Sequence, residues 1–297
     1  MTVKNNTIDV VGLGLNAMDT ICVVSEFPRP NTKRHMREVR VEPGGQVATA
    51  LATCTRLGLR CRYIGSVGTD DWGKAQIASL QKENLELHVR EVPGATSQVA
   101  VIILEEGVGE RTILWRRDPR LVYPVHELRR ELILGGRILH LDGCDSAAAL
   151  QAAKWAKEAG IPVVIDIDEM YDESTHELLR LVDYLIASSD FAEDPRELAH
   201  RYGCPVVGIT RGVEGAVFVG RDRRLLQVPG FKVPVADTTG AGDVFHGGFI
   251  YGLLQGWALD DIARFANAVA AMKCTQIGAR RGIPRLTEVQ EFLESHG

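Results

Sequence analysis

From Pro124 onward, short β-branched runs alternate with helical stretches, and no other feature limits the fold of this chain as strongly. Ile138–Leu141 leads to a helix over Ala147–Ala159, Pro162–Ile167 to Thr175–Leu181, and Tyr184–Ala187 to Pro195–Tyr202. Strands joined through single helices pair in parallel, and a parallel sheet is covered on both faces. Val206–Thr210 then feeds a hairpin-like pair, Ala216–Val219 and Leu225–Val228. Two helices, at about Asp243–Gln255 and Asp260–Gln276, precede a C-terminal amphipathic segment. Upstream, Ile8–Val11 and Cys61–Ile64 read as strands, and Val47–Leu57 and Trp72–Leu85 as helices. The fold class this predicts is α/β, a doubly wound, mostly parallel sheet with helices on both faces.

Two segments, 20–41 and 99–117, do not fit that sheet. Both are β-rich with charge on alternate positions, as in a small sheet with one wet face. Val99–Leu104 and Arg111–Trp115 flank the turn Glu105–Glu110 as a hairpin. Together the segments predict a discontinuous lid over the strand C-terminal edge, where doubly wound folds bind ligands. At 297 residues, one domain spanning 1–297 with this lid is the expectation.

Composition excludes several classes. A 45% hydrophobic, 25% charged chain is that of a globular protein. Its 34 Lys+Arg against 39 Asp+Glu leave a net charge of −5, no footprint for nucleic acid. No apolar run approaches the roughly 18 residues of a membrane helix. Asp9, Gly12, Gly14 and Asn16 interrupt the N-terminal apolar stretch, so a cytoplasmic protein without a secretory signal is expected. The six cysteines are scattered without a C-x-x-C pair, which predicts reduced, mostly buried thiols and no transition-metal site.

Three glycine motifs invite a phosphate-binding reading. Gly12-Leu13-Gly14-Leu15-Asn16-Ala17 matches a dinucleotide fingerprint, but the β-prone Thr20–Val24 stands where the required helix should begin. Gly68–Ala75 misses a Walker A loop: Ala75 replaces the metal-holding hydroxyl, and Asp70 and Asp71 would repel phosphate, so a helix cap is expected. Asp237-Thr238-Thr239-Gly240-Ala241-Gly242-Asp243 runs directly into the apolar stretch Val244–Leu254. Glycines there open main-chain N–H groups to an anion, and the helix start adds partial positive charge. Asp243 in the first turn could take a proton from a hydroxyl aligned on the phosphate. The competing reading is a plain helix cap made by Thr239 or Asp243 after a tight turn.

Asp237–Asp243, with Phe245 and Gly247-Gly248-Phe249, resembles the C-terminal signature of ribokinase-like (PfkB-type) carbohydrate kinases. Gly44-Gly45, Leu57-Gly58, Gly65, Gly68, Asp70 and Gly73 resemble the N-terminal signature, and Thr210, Gly212 and Gly215 the nucleotide-binding turn. The resemblance implies transfer of the ATP γ-phosphoryl to a hydroxyl of a sugar or similar small alcohol, with Mg2+. It implies that Asp243 is the base and that Gly240, Ala241 and Gly242 supply the anion hole. It further implies that Thr210, Gly212, Gly215, Thr238 and Asn267 face the nucleotide, while Asn16, Asp19, Gly44, Gly45 and Thr49 serve the acceptor. Lids of the family often pair, which implies a homodimer, and some members carry a monovalent cation, K+, here near Asp237 and Thr239.

The chain departs from the pattern in two places. Thr49 stands where many members carry Asn, and Ser188-Ser189-Asp190-Phe191 replaces an Asn-x-x-Glu motif that organises Mg2+. Asp190 or Glu193 could supply the missing carboxylate, and the Mg2+ ligands stay unassigned. Asp166 and Asp168, at the end of the Pro162–Ile167 strand, read either as groups supporting that site from behind or as plain strand-end and turn carboxylates. Arg111, Arg116, Arg117 and Arg120 cluster around the lid hairpin. Strand alternation puts Arg116 and Arg117 on opposite faces, and Arg116 is the candidate to grip an anionic acceptor, against a solvated lid strand. Arg280-Arg281 is expected at the surface. The alternatives to a sugar kinase are a kinase for a nucleoside or other non-sugar alcohol, and a catalytically silent ATP- or sugar-binding regulator.

Overall fold

The computed structural model describes residues 8–106 and 111–296. β1 (Ile8–Leu13), aliphatic and almost wholly buried, enters the main sheet first. β2 (Ala17–Val24) and β3 (Glu38–Gly44) leave it for a second, smaller sheet. The chain returns through α1 (Gln46–Arg56), β4 (Cys61–Gly68), α2 (Asp71–Lys82) and β5 (Glu86–Val92). It leaves again as β6 (Val99–Glu105) and β7 (Arg111–Arg116). After a short turn of helix, α3 (Arg130–Ile133), the alternation is regular. It runs β8 (Gly136–Leu141), α4 (Ser146–Glu158), β9 (Val163–Ile167), α5 (Glu173–Leu179), β10 (Tyr184–Ser188), α6 (Pro195–Tyr202) and β11 (Val206–Thr210). β12 (Ala216–Val219) and β13 (Leu225–Val228) follow, then α7 (Ala241–Gln255), α8 (Leu259–Lys273) and α9 (Leu286–Ser295).

Among the described residues the main sheet has the order β13-β12-β11-β10-β9-β8-β1-β4-β5, antiparallel only at β12 and β13. From β1 the chain builds outward to β5, then crosses to β8 on the other side of β1. That reversal opens a crevice beyond the strand C-terminal ends, the ligand position of doubly wound sheets. The small sheet, β3-β2-β6-β7, pairs 17–24 and 38–44 with strands 99–105 and 111–116, the separate sheet expected from these two segments. Residues 107–110 of the expected hairpin turn lie outside the described residues.

α7 is apolar all round because it is sandwiched, α1 on one side and α8 on the other. Gly247 makes the first contact close: a Cβ there would come within 2.4 Å of Thr53 Cβ. Gly248 does the same toward α8, at 3.0 Å from Ala266 Cα. Motif glycines thus also fix how the helix carrying Asp243 docks.

Several readings meet the structure directly. Asp70 Oδ1 accepts from Gly73 N at 2.9 Å, the helix cap expected in place of a Walker loop. β2, not a helix, follows Gly14, and Asp142 Oδ2 accepts from Leu15 N at 2.6 Å across that turn. β5 was not foreseen; as an edge strand it is largely polar, with Glu86, His88, Arg90 and Glu91 in its run. All six cysteines are free. No helix among the described residues is long and apolar enough to cross a membrane.

Candidate active site

The turn ahead of α7 divides two cavities. Gly240, at the helix N-cap with φ 75°, packs so tightly that a Cβ would lie 2.7 Å from Ala279 Cβ. That backbone angle and that gap admit only glycine. Thr239, Gly240 and Asp243 face a cavity of about 250 Å³ under the lid. Thr238, Ala241 and Gly242 face a second, of about 390 Å³, over β10 and β11. A Cβ on Gly242 would meet nothing within 4 Å, so its peptide is open to whatever fills that second cavity. His246 Nδ1 donates to Gly242 O at 2.9 Å, since a carbonyl can only accept, and fixes this peptide.

Asp243 stands at the junction among carboxylates. Burial pushes its carboxyl up to about 8, and Asp166 adds to the rise; His246 and Arg111 oppose it. Asp166, at the end of β9, is itself raised by burial and by Asp168. A carboxylate held near neutral pKa is suited to take a proton from an alcohol and release it again.

The lid cavity is lined by Asp19, Gln98, Ile113 and Trp115 from the lid, and by Gly45, Gln46, Asp168, Glu169 and Tyr171 from the main sheet. Asp19 is 6% exposed, and burial lifts its carboxyl to about 7 against the pull of Arg280. A Cβ on Gly44 would lie 2.0 Å from Asp19 Oδ2, so glycine there makes room for the carboxylate. Asn16, Gly44 and Thr49 do not line the cavity; they form the layer beneath it, gathered by one side chain. Arg280 donates to Asn16 Oδ1 at 3.0 Å, to Thr49 Oγ1 at 3.3 Å and to Gly44 O at 2.5 Å. The surface expectation for Arg280 is therefore corrected: it is 2% exposed, with its guanidinium against the Thr49 hydroxyl. Arg281 is exposed, as expected.

Arg116 also needs correction. Its register partner is Val99, on the outer lid face, whereas Gln98, Ala100 and Ile102 line the cavity. With a period of two, the inward residues of β7 are Arg111, Ile113 and Trp115. β7 ends at Arg116, and Arg117 turns away to pair with Asp145 at 2.9 Å. Arg111 is the lid arginine that matters, because it lines both cavities.

In the second cavity Thr210, Gly212, Gly215, Thr238 and Asn267 come together as expected. Asn267 Nδ2 donates to Val228 O and Pro229 O at 3.2 and 3.1 Å, holding the turn after β13. Val213, Phe231, Val233 and Phe245 give apolar walls of the kind a purine ring packs against. Ser188, Ser189 and Asp190 also line this cavity, whereas Phe191 packs against the core and Glu193 does not line it. Mg2+ keeps several waters and takes one or two carboxylates plus substrate phosphates; Asp190 is a carboxylate that lines this cavity, whereas Asp166 lines neither cavity. Among the described residues no group of three metal-ligating side chains is gathered, so these positions fit a phosphate-borne ion rather than a protein cage.

Of the two residues expected near a monovalent cation, Thr239 keeps a buried Oγ1 with no hydrogen-bond partner among the described residues, whereas the Asp237 oxygens are engaged. Asp237 accepts from Thr239 N and Gly278 N, both at 2.8 Å, and its main-chain O accepts from Lys273 Nζ at 2.8 Å. Lys273, Arg280 and Arg111 were not legible as parts of one site, since each lies far in sequence from the groups it contacts.

Residues 7–286 match the family described as "pfkB family carbohydrate kinase". A ribokinase from Haemophilus influenzae is 28% identical over 97% of this chain and 98% of its own. A nucleoside kinase from Methanothermobacter thermautotrophicus is 25% identical over 97% of each. The crystal structure of a ribokinase from Thermotoga maritima superposes with a TM-score of 0.81, at 22% identity, over 97% of this chain and 99% of that one. With the two cavities parted by a glycine turn, the match over nearly its whole length places this chain in the pfkB family of carbohydrate kinases, phosphotransferases with an alcohol acceptor.

Proposed function

We propose that the protein transfers the γ-phosphoryl of ATP to a hydroxyl of an uncharged sugar or sugar derivative, with Asp243 as general base. One observation carries this reading: the α7 turn offers Gly242 to one cavity and Asp243 to the other. ATP in the larger cavity would set its γ-phosphate against the Ala241 and Gly242 amides, at the positive end of α7. An acceptor under the lid would bring one hydroxyl to Asp243. As that oxygen bonds to phosphorus, its proton passes to the carboxylate and the bond to the ADP oxygen breaks. Mg2+ supplies charge neutralisation on the phosphates when bound. Arg111 reaches into both cavities and would offset the negative charge between them. The lid keeps out water that would otherwise take the phosphoryl group.

The acceptor's charge follows from the cavity. Asp168 and Glu169 face it beside Asp19 and Asp243, whose carboxyls burial raises to about 7 and about 8. Among the described residues Arg111 is the one cation lining it, so a sugar phosphate or sugar acid would meet net repulsion that grows with pH. Asp19, Gln46 and Gln98 suit a polyol. The second reading is a nucleoside acceptor, favoured by Trp115 and Tyr171 lining the same cavity, with a nucleoside kinase among the relatives. ADP release over neutral sugars, sugar phosphates, sugar acids and nucleosides distinguishes them. Turnover confined to nucleosides overturns the sugar reading, and no ADP release with any acceptor would support a silent regulator.

Lid pairing into a homodimer belongs to the same proposal. Val41, Thr20, Val101 and Leu114 stand in cross-strand register on the outer face of the lid. Leu114 is 60% exposed and Val41 50%, an apolar row suited to a second copy. Light scattering should give twice the chain mass, and Leu114→Glu should return a monomer.

A further inference from the structure

Lys273 ends α8 directly behind the glycine turn, and its side chain is fully buried. Burying an ammonium is unfavourable unless negative charge or oxygen ligands compensate it. Its partner is the main-chain oxygen of Asp237, at 2.8 Å. Asp237 begins the turn that ends at Asp243, and both of its carboxylate oxygens accept from main-chain N–H groups of Thr239 and Gly278. Ala236 N and Asp237 N donate to Cys274 O, at 2.8 and 3.2 Å. The end of α8 and the loop after it therefore grip the first residue of the turn from several sides. The charges facing Lys273 are Asp237 and Asp243, with Arg111 as the nearby cation. Carbonyl oxygens are the ligands a dehydrated K+ ion takes, and here an ammonium of the chain sits on one of them.

We propose that Lys273 is a positioning residue that serves as the built-in cation of the anion hole. It fixes the 237–243 turn and places a positive charge behind the transferring phosphoryl group, so the protein works without an added monovalent ion. The proposal rests on the kinase reading of this site and concerns how the turn is held, not which alcohol is phosphorylated.

ADP release and ATP binding, the latter by calorimetry, are measured in buffers whose monovalent cation is choline, too large to enter, and again with K+ or NH4+ added. Wild-type turnover and ATP affinity should be the same in all three. Lys273→Met should lose about 10²-fold in turnover in choline, the scale for removing one electrostatic partner of an oxyanion, and regain part of it with NH4+ or K+. A merely structural lysine would not give rescue by a small cation. A wild-type protein that requires K+, or a folded Lys273→Met variant with wild-type turnover in choline, overturns the proposal. If Lys273→Met does not fold by circular dichroism, Lys273→Arg should keep cation-independent turnover, and K+ dependence in that variant overturns it. Failure to phosphorylate any acceptor would count against the kinase reading, while the ATP-affinity comparison would still decide the role of Lys273.

Discussion

Arg111 Nη1 donates to Thr238 Oγ1 at 2.6 Å, so the edge strand of the lid touches the glycine turn that parts the two cavities. The arginine comes from one sheet and the hydroxyl from the loop ahead of α7, 127 residues apart. Lid position and turn geometry are therefore linked through one side chain.

Arg111→Met should lower turnover by about 10²-fold, the usual scale for one lost charge at a developing oxyanion, with folding intact because the residue is exposed. Arg111→Lys should recover only part, since an ammonium cannot reach both cavities in the same fork. Steady-state kinetics with ATP and acceptor varied separately check this. Unchanged kcat in Arg111→Met would remove the residue from the site.

The pH profile follows from the carboxylates. Asp243 works only when ionised, and its carboxyl is pushed up to about 8. Turnover should therefore fall as pH drops through about 8 and level off above it. Asp166→Asn removes a neighbouring negative charge, so the fall should move to lower pH. A profile whose acid limb stays put in Asp166→Asn would contradict the coupling.

Gly242→Val adds a side chain that points into open space on the nucleotide side. The melting temperature should hold, while ATP affinity drops because the branched side chain blocks approach to the peptide. Wild-type ATP kinetics would count against the anion hole.

Arg280→Met leaves Asn16 Oδ1, Thr49 Oγ1 and Gly44 O without their donor in a buried layer. The loss in stability should be about 2–5 kcal/mol by urea unfolding, the range for breaking a buried charged network. It should also raise the Asp19 carboxyl further, because Arg280 is what lowers it.

The frame was legible because its signals are local. The alternation after Pro124 gave β8 to β11 in order, and β11 to β13 lie at their expected residues. The glycine turn was legible because the left-handed angle and close packing at Gly240 require glycine, and Gly242 leaves its peptide open beside it. β5 was not, because its alternation is short, Leu87 and Val89 among Glu86, His88, Arg90 and Glu91, and an edge strand carries more charge than a central one. Arg280 and Lys273 were misplaced or missed for a different reason. An arginine or lysine near a C-terminus looks like surface, and its burial depends on Asn16, Gly44 and Asp237, far away in sequence. Alternation alone does not separate Arg116 from Arg111, because it assigns faces only once the face of one strand member is known, and the pairing of Arg116 with Val99 supplies that face.

The most direct measurement is single-turnover transfer of labelled γ-phosphoryl from ATP to the best acceptor, comparing wild type with Asp243→Asn. The variant should fold and bind ATP as the wild type does, yet transfer about 10²–10⁴-fold more slowly, the range for loss of a general base. Transfer at the wild-type rate without that carboxylate would contradict the assignment of Asp243.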